Sequence, residues 1–347
     1  MVDVERMPTR LKDGREIAVF RLSARDGIAV TVAELGATLM GIEAPDRDGR
    51  MANIVLGLPD IAAYPSAGAP GADVCLGGSC GRFANRIGGA CLELDGRTVR
   101  LVANEGRNHL HGGPDGFHRR IWKGERLSDG VAMTIDSPDG DQGWPGRLKA
   151  IVEFRLIGSD TVSITYQATT DRPTFVNLVS HGYFNLDGAG CGDVRQHELL
   201  IASDRFLAID TAALPTGEVR DVAGTAFDFR SRRAIGDAMR LPDVQLRPGR
   251  GYNHCYILPG DGLRPAASLR SPRSGRTMEL ATDQAGLQFY DGYALGRGGS
   301  PFADRAGLCL EAQGWPDSPN HAAFPSARLD PGETYLSQLR LRFGTRD

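Results

Sequence analysis

The sequence predicts an all-β protein: a large antiparallel β-sandwich with few short helices. Short runs rich in strand-forming residues recur along the 347 residues. Between them the dipeptide Asp-Gly, which favours tight turns, occurs ten times. Stretches with the helical period are short and rare. Many short strands joined by tight turns are typical of antiparallel sheets packed as a sandwich.

The strand pattern is clearest in four runs, residues 16–22, 28–32, 150–156 and 161–166. In the second run Val30 and Val32 alternate with polar or small residues, and the fourth run alternates in the same way. Such a period of two indicates a strand with one buried face. The helical period fits two turns within residues 233–240 and one turn within residues 60–64.

Composition excludes several classes of protein. Hydrophobic residues make up 41% and charged residues 24%, with a net charge of −3, which is ordinary for a globular protein. No basic field favours nucleic acid or an anionic membrane. We expect neither a signal peptide in the charged N-terminal segment nor a transmembrane helix, because no apolar run approaches eighteen residues. No repeat or linker divides the chain, which predicts a single domain over residues 1–347.

The cysteines point to a reducing compartment. They form no C-x-x-C pair and no dense disulfide pattern. Buried, reduced thiols in a cytoplasmic protein are the expectation. The six residues are Cys75, Cys80, Cys91, Cys191, Cys255 and Cys309.

Two glycine-flanked segments in the first third of the chain carry polar groups. In residues 81–88, Asn85 and Arg86 offer an amide and N–H donors to hydroxyl oxygens, or else form a solvated turn with a surface ion pair. Further on, His109 and His111 would project to the same face of an extended segment. Two such histidines could begin a metal site, but no further ligand motif stands nearby. A hydrogen-bonding or proton-transferring imidazole is favoured.

Further segments supply an acid, a base and amides. His181 lies among apolar and aromatic residues, as either a core histidine or a general acid or base. Asn253 and His254 stand at the mouth of an apolar strand, and Gln288 lies on a short strand. Glu311 directly follows an apolar run, where a carboxylate is either ion-paired or a general base with a raised pKa.

Several common catalytic motifs are missing from the sequence. It contains neither a phosphate-binding G-x-x-x-x-G-K-[ST] loop nor a strand-anchored G-x-G-x-x-G. It also lacks the G-x-S-x-G nucleophile elbow. These observations disfavour nucleotide-dependent enzymes and serine hydrolases, and leave a β-rich protein whose dispersed polar groups suit a polyol.

Taken in order, these segments resemble the aldose 1-epimerase (galactose mutarotase) family over most of the chain. The resemblance implies the galactose mutarotase-like supersandwich, with the sugar in an open cleft on one sheet, and chemistry that needs neither metal nor coenzyme. The matching segments are residues 34–39, 45–49, 81–87, 108–113, 137–146, 177–186, 210–219, 224–230 and 310–335.

The resemblance also implies roles for individual residues. His181 resembles the acid that protonates the ring oxygen, and Glu311 the base that removes the proton of the anomeric hydroxyl. His111 matches the family's other active-site histidine. The residues that resemble sugar-contacting positions are Asn85, Arg86 and Gln288.

The sequence departs from the family pattern at a few positions. Asn253 stands where the family usually carries an Asp that binds sugar hydroxyls, so we also expect Asn253 to contact sugar. Ser180 and Gly182 replace the usual Asn and Ser on either side of His181. The aromatic residues Trp315 and Phe289 would either cover an apolar sugar face or belong to the core.

These observations predict a cofactor-independent mutarotase that interconverts the α and β anomers of a free aldose: galactose, glucose or a pentose. Its partner is a small monosaccharide, and both a monomer and a weak homodimer are compatible with the sequence. The alternatives are a mutarotase of phosphorylated hexoses, a noncatalytic sugar-binding protein of the same fold, and a lyase or hydrolase acting on polysaccharides.

Overall fold

The computed structural model describes residues 2–65, 74–247, 250–298 and 300–346. In these residues strands dominate. In chain order they are β1 (Val2–Arg10), β2 (Glu16–Ala24), β3 (Ala29–Ala33), β4 (Thr38–Pro45), β5 (Met51–Asn53), β6 (Ser79–Cys80), β7 (Arg86–Ile87), β8 (Cys91–Leu94), β9 (Arg97–Arg100), β10 (His109–Leu110), β11 (Lys123–Arg126), β12 (Gly130–Ser137), β13 (Leu148–Ile157), β14 (Thr161–Thr170), β15 (Thr174–Phe175), β16 (Val179–Ser180), β17 (Glu198–Ile201), β18 (Arg205–Ile209), β19 (Pro215–Asp221), β20 (Arg233–Ala234), β21 (Asn253–Ile257), β22 (Arg264–Arg270), β23 (Arg276–Thr282), β24 (Gly286–Tyr290), β25 (Cys309–Gln313), β26 (Arg328–Leu329) and β27 (Tyr335–Thr345).

Helices are few and short. Within the described part of the chain a single α-helix, α1, spans Ile235–Met239. None of the described helices has the length and apolar character needed to cross a membrane. The 3-10 helices are Ile61–Ala63, Gly88–Ala90, Phe117–Arg119, Asp141–Gly143, Val194–Gln196, Val244–Leu246, Leu295–Gly298 and Ser318–Asn320.

Three antiparallel sheets form the framework. The largest has the order β11-β12-β13-β14-β27-β23-β22-β17-β20. A second sheet runs β1-β2-β3-β4-β5, and a third runs β19-β18-β21-β24-β25. One apolar cluster joins all three, with Phe154 from the first sheet, Phe20 from the second and Phe289 from the third. This shared core confirms the predicted β-rich architecture.

Local sequence explains the hairpins. In β14, Val162, Ile164 and Tyr166 are buried while the residues between them are half-buried, as their alternation predicts. Strands β8 and β9 are joined by two residues, Asp95 and Gly96, which both have positive φ (50° and 73°). That conformation matches the right-handed twist of the paired strands, and Asp-Gly adopts it readily.

The other predicted elements are also present. The four predicted runs lie in β2, β3, β13 and β14. Helix α1 lies within residues 233–240, but it is shorter than predicted because β20 takes the first two residues. The turn at residues 60–64 is a 3-10 helix, which Asp60 caps by accepting a hydrogen bond from the Ala62 N–H.

All six cysteines are thiols outside any disulfide. The expectation that they are buried is wrong for Cys191, which is exposed, and for Cys91, which is half-buried. Both follow turn glycines, Cys191 directly after Gly190 and Cys91 after the 3-10 helix Gly88–Ala90. The buried thiols are Cys75, Cys80, Cys255 and Cys309.

Candidate active site

A cleft of about 200 Å³ lies where the third sheet meets the segments around β6, β7, β10 and β16. Six of the seven side chains predicted for the site line it. Tyr183, Tyr290, Tyr293 and Glu105 add further walls. The six are Asn85, Arg86, His111, His181, Asn253 and Glu311.

Glu311 and His181 form a buried pair in the cleft. The Oε2 atom of Glu311 lies 3.7 Å from Nε2 of His181. This oxygen accepts no hydrogen bond from any described residue. Burial raises the pKa of Glu311 to about 8, while the nearby charge of Arg86 acts in the opposite direction. The pair is thus poised for proton transfer near neutral pH.

A thiol flanks the other side of the same imidazole. The Sγ atom of Cys309 lies 3.6 Å from Nδ1 of His181. Because Cys309 and Glu311 are two residues apart on β25, their side chains point to the same face of the sheet. One strand therefore contacts both nitrogens of His181.

The backbone of His181 is held by a tight glycine turn. Its N–H donates to the Gly78 carbonyl at 2.9 Å, and its carbonyl accepts from the Gly77 N–H at 3.0 Å. Gly77 has a φ of +67°, and a Cβ there would lie 2.0 Å from the Leu39 carbonyl oxygen. Only glycine fits this position, so the turn fixes the direction from which His181 enters the cleft.

His111 reaches the cleft from a turn. Its φ is +51°, so the expectation that it shares an extended face with His109 is wrong. Its Nδ1 accepts a hydrogen bond from the Asn85 N–H at 3.2 Å, which leaves Nε2 to carry the proton of the neutral ring. Burial, followed by the charge of His181, lowers the pKa of His111 well below its ordinary value. His111 is therefore a neutral N–H donor at pH 7.

His109 has a structural environment instead. Its Nδ1 contacts the Val102 carbonyl at 2.7 Å, and its Nε2 accepts from Trp144 Nε1–H at 3.2 Å. Burial lowers the pKa of His109 to about 4. With both nitrogens engaged in the core, His109 does not form a metal site with His111.

Arg86 is fixed by a carboxylate that the sequence analysis did not identify. Its Nε and Nη2 groups donate to the two oxygens of Glu105, each at 2.7 Å. The ion pair weighed as an alternative for this segment exists, but only 12% of the Arg86 side chain is exposed. Glu105 stands four residues before His109 on β10, and the pairing of β10 with β7 brings this carboxylate to Arg86.

Asn253 and Gln288 lie on neighbouring strands, and their amides are hydrogen-bonded. Gln288 Nε2 donates to Asn253 Oδ1 at 2.7 Å, and Gln313 Nε2 donates to Gln288 Oε1 at 3.4 Å. Asn253 lines the cleft, whereas Gln288 is behind it and outside the cleft lining among the described residues. Gln288 therefore reaches the cleft through Asn253.

Three other predicted neighbours lie outside the cleft lining in the described residues. His254 does not stand at the mouth of the strand: it is fully buried against Phe227, with ring centroids 4.6 Å apart. Alternation along β21 sends it to the face opposite Asn253. Phe289 is also fully buried and stacks on Tyr252. Trp315 donates to the Ala285 carbonyl at 3.2 Å rather than lining the cleft.

The wall of tyrosines was not predicted as such. Tyr183 lies two residues after His181, with ring centroids 5.0 Å apart. Tyr290 directly follows Phe289 at the end of β24 and contacts Tyr293 edge to face. These rings give the cleft an aromatic wall, a role that the sequence analysis considered for Trp315 and Phe289 as the alternative to core packing.

Comparisons with known proteins identify the family and the fold of this chain. A sequence model of the family described as Aldose 1-epimerase matches residues 18–342. The Aldose 1-epimerase of Escherichia coli K12 is 40% identical over 345 residues, which cover 97% of this chain and 98% of that protein. The human Galactose mutarotase is 37% identical, covering 93% and 92% of the two chains. The crystal structure of galactose 1-epimerase from Lactobacillus acidophilus is 28% identical, with a TM-score of 0.86 and full coverage of both chains.

Proposed function

Because this chain belongs to the aldose 1-epimerase family, we propose that His181 and Glu311 are the acid and base with which it interconverts the anomers of a free aldose. The chain is an isomerase of the mutarotase type. The assignment of roles rests on one observation: the two side chains meet at 3.7 Å, buried in the cleft.

Mutarotation needs one proton removed from the anomeric hydroxyl and one delivered to the ring oxygen. Ionised Glu311 takes the first, and protonated His181 supplies the second. The C1–O5 bond breaks as the aldehyde forms, and the C1–C2 bond rotates. On ring closure at the other carbonyl face, the hydroxyl formed from the ring oxygen returns its proton to His181, and Glu311 returns its proton to the anomeric oxygen. An ionised Glu311 beside the ring favours the imidazolium form that starts the reaction.

The surrounding groups handle charge and orientation. Arg86, whose guanidinium is oriented by two hydrogen bonds to Glu105, stabilises the negative charge that develops on oxygen as the sugar ring opens. Neutral His111 donates from Nε2 to a sugar oxygen, and Asn85 fixes that ring through its backbone N–H. Asn253 contacts a sugar hydroxyl, with Gln288 positioning its amide. None of these steps uses a metal or coenzyme.

Substrate size follows from the cleft. Its volume of about 200 Å³ suits one monosaccharide, with galactose, glucose and pentoses as candidates. We further propose a single domain over residues 1–347 and a cytoplasmic monomer or weak homodimer without nucleic-acid or membrane partners. The six thiols, none of them in a disulfide, support the cytoplasmic location.

Polarimetry of freshly dissolved α-D-galactose, α-D-glucose, D-xylose and L-arabinose tests the proposal. Wild type should accelerate relaxation to the equilibrium rotation of at least one sugar. We expect Glu311→Gln and His181→Asn each to lose roughly 10²–10⁴-fold in kcat, the usual contribution of a positioned acid or base. Glu16→Gln, a change at an exposed carboxylate, is the matched control.

Each outcome addresses a different part of the proposal. If Glu311→Gln is as active as wild type, Glu311 is not the catalytic base. If no free sugar relaxes faster than in buffer, the substrate assignment fails, and phosphorylated hexoses become the next candidates.

A further inference from the structure

Cys75, Cys80 and His118 form a cluster of metal-ligating groups beside the sugar cleft. One ligand atom from each residue, two thiol sulfurs and an imidazole nitrogen, lies within 4.8 Å of the others. All three side chains are buried. None of them has a role in the proposed mechanism, although Cys75 lines the cleft.

The separation of these atoms is close to what a bound ion needs. The three atoms are no more than 4.8 Å apart, so an ion placed at their centre would lie at most about 2.8 Å from each of them. Zinc bonds are about 2.3 Å to sulfur and about 2.0–2.1 Å to imidazole nitrogen. Inward movements of less than about 1 Å would therefore complete the coordination.

The backbone presents the two thiols on one turn. Cys75 has a φ of +53°, and its carbonyl accepts a hydrogen bond from the Gly78 N–H at 3.1 Å. This tight turn reverses the chain, so that Cys80 returns to the side of Cys75. The Cys-x₄-Cys spacing thus places both sulfurs together without a C-x-x-C motif.

The imidazole is fitted against glycines. His118 lies in the 3-10 helix Phe117–Arg119. A Cβ at Gly78 would lie 2.7 Å from the His118 Cβ, and one at Gly116 would lie 2.9 Å from its Cε1. Larger residues at either position would displace the ring, so the packing holds it beside the thiols.

We propose that Cys75, Cys80 and His118 bind one Zn²⁺ ion. Two thiolates and an imidazole match the ligand preference of this ion. Each cysteine releases its proton to solvent as its sulfur bonds the metal. The two thiolates neutralise the double positive charge of the ion, which suits a buried site. Three protein ligands leave a fourth position for water. The sequence analysis expected no metal, and the sugar chemistry proposed above does not use this ion.

The site is coupled to the catalytic histidine through the backbone. The turn between Cys75 and Cys80 contains Gly77 and Gly78, the two residues hydrogen-bonded to the His181 backbone. An ion held by both cysteines would stiffen this turn, and with it the position of His181. This consequence rests on the proposed function, but the binding of the ion does not.

A second cluster has to be separated from the first in any experiment. His181, Cys309 and Glu311 also place ligand atoms within 4.8 Å of one another. That cluster is the proposed acid/base pair with its neighbouring thiol. An ion there would occupy the position of the sugar, so variants must report which cluster takes the metal.

Cobalt titration of the metal-free protein tests the proposal. Co²⁺ replaces Zn²⁺ in such sites, and its thiolate charge-transfer and tetrahedral d–d bands report the ligands. We expect one Co²⁺ per chain in wild type, displaced by Zn²⁺. Cys80→Ser should weaken binding by at least about 100-fold, since it removes a ligand directly. Cys91→Ser, a half-buried thiol outside both clusters, and Cys309→Ser should bind as wild type does.

Three results would overturn the proposal: no stoichiometric binding by wild type, equal binding by Cys80→Ser, or loss of binding in Cys309→Ser alone. Circular dichroism of the metal-free variants checks folding, and His118→Gln replaces Cys80→Ser if that variant does not fold. Zn²⁺ should raise the Tm of wild type and of Cys91→Ser but not of Cys80→Ser. Metal-free wild type should keep its mutarotase activity, so failure of the zinc site and failure of the proposed function are distinguishable.

Discussion

The Oε2 atom of Glu311 lies 3.7 Å from Nε2 of His181, and both side chains are almost fully removed from solvent. Bulk water therefore does little to stabilise the carboxylate, and the imidazole beside it is itself a titrating group. Burial raises the pKa of Glu311 to about 8. We therefore expect this pair to influence both the rate of the proposed reaction and the stability of the fold as pH changes.

The first prediction concerns the pH dependence of the rate. Glu311 must be ionised to remove the anomeric proton while His181 stays protonated, so kcat/KM should follow a bell-shaped pH profile with one limb near pH 8. Polarimetric rates across this range, corrected for mutarotation catalysed by buffer, measure the limb. A limb near the ordinary pKa of a carboxyl group would show that burial does not control this residue.

The second prediction concerns stability. The ordinary pKa of an exposed glutamate side chain is 4.5, whereas the pKa of Glu311 in the folded protein is about 8. Between these values the folded state binds more protons than the unfolded state, so stability falls as pH rises from about 4.5 to about 8. Glu311→Gln removes this effect and should gain stability relative to wild type by a few kcal/mol between about pH 5 and pH 8.

Urea unfolding at both pH values measures this difference. The free energy of unfolding of Glu16→Gln, a change at an exposed carboxylate, should depend on pH in the same way as that of wild type. A constant difference between Glu311→Gln and wild type would mean that Glu311 has the same pKa in the folded and unfolded chains.

The third prediction separates the charge of Arg86 from its geometry. Arg86 lowers the pKa of Glu311, so Arg86→Gln should move the limb near pH 8 to higher pH. Arg86→Lys keeps the charge but loses the two parallel bonds to Glu105. Its limb should stay in place while kcat/KM falls by roughly 10²-fold. Equal limbs in both variants would argue against an electrostatic link between Arg86 and Glu311.

Sequence patterns predicted β2, β3, β13 and β14 because alternation and turn chemistry are local. The alternation of β14 and the Asp95-Gly96 turn were visible without any tertiary information. The order of nine strands in the largest sheet was not, because β27 inserts between β14 and β23 from the far end of the chain.

The identity of the site residues was predictable because few residue types can perform this chemistry. The direction of a side chain was less predictable where it depends on the local backbone conformation. The resemblance placed six side chains that share one cleft. The left-handed turn at His111 separates it from His109. Gly112 and Gly113 mark a turn in this segment, but they do not show that His111 itself has a positive φ. Glu105 and the tyrosines were missed because their importance comes from contacts made across the cleft.

The fourth prediction concerns His111. Its Nδ1 accepts from the Asn85 backbone, and Nε2 is the donor left for the sugar. His111→Gln can place an amide N–H near the Nε2 position, whereas His111→Asn replaces mainly the Nδ1 acceptor. We therefore expect Gln to retain more kcat/KM than Asn, with both below wild type. The reverse order would mean that the bond to Asn85 matters more than donation to the sugar. Thermal melts of both variants identify any loss of fold.

Asn253 is one of the positions at which the sequence analysis expects a departure from the family pattern, and its hydrogen bonds determine which of its polar atoms remain available. Gln288 Nε2 donates to its Oδ1, and Gln288 is itself oriented by Gln313. Because Oδ1 accepts from Gln288, the Nδ2 donors of Asn253 are the groups that we expect to contact a sugar hydroxyl. An aspartate would accept from Gln288 with one oxygen and from the hydroxyl with the other.

The last prediction follows from that difference. Asn253→Asp should stay active but change the ranking of galactose, glucose, xylose and arabinose. A hydrogen bond to a charged group contributes about 1.5–3 kcal/mol, so KM should fall about tenfold or more for sugars whose hydroxyl donates to this position. Asn253→Ala, which has neither donor nor acceptor, should raise KM for the same sugars. If KM and kcat are unchanged by Asn253→Asp for every sugar, residue 253 does not contact substrate, and specificity must come from Arg86, His111 and the tyrosine wall.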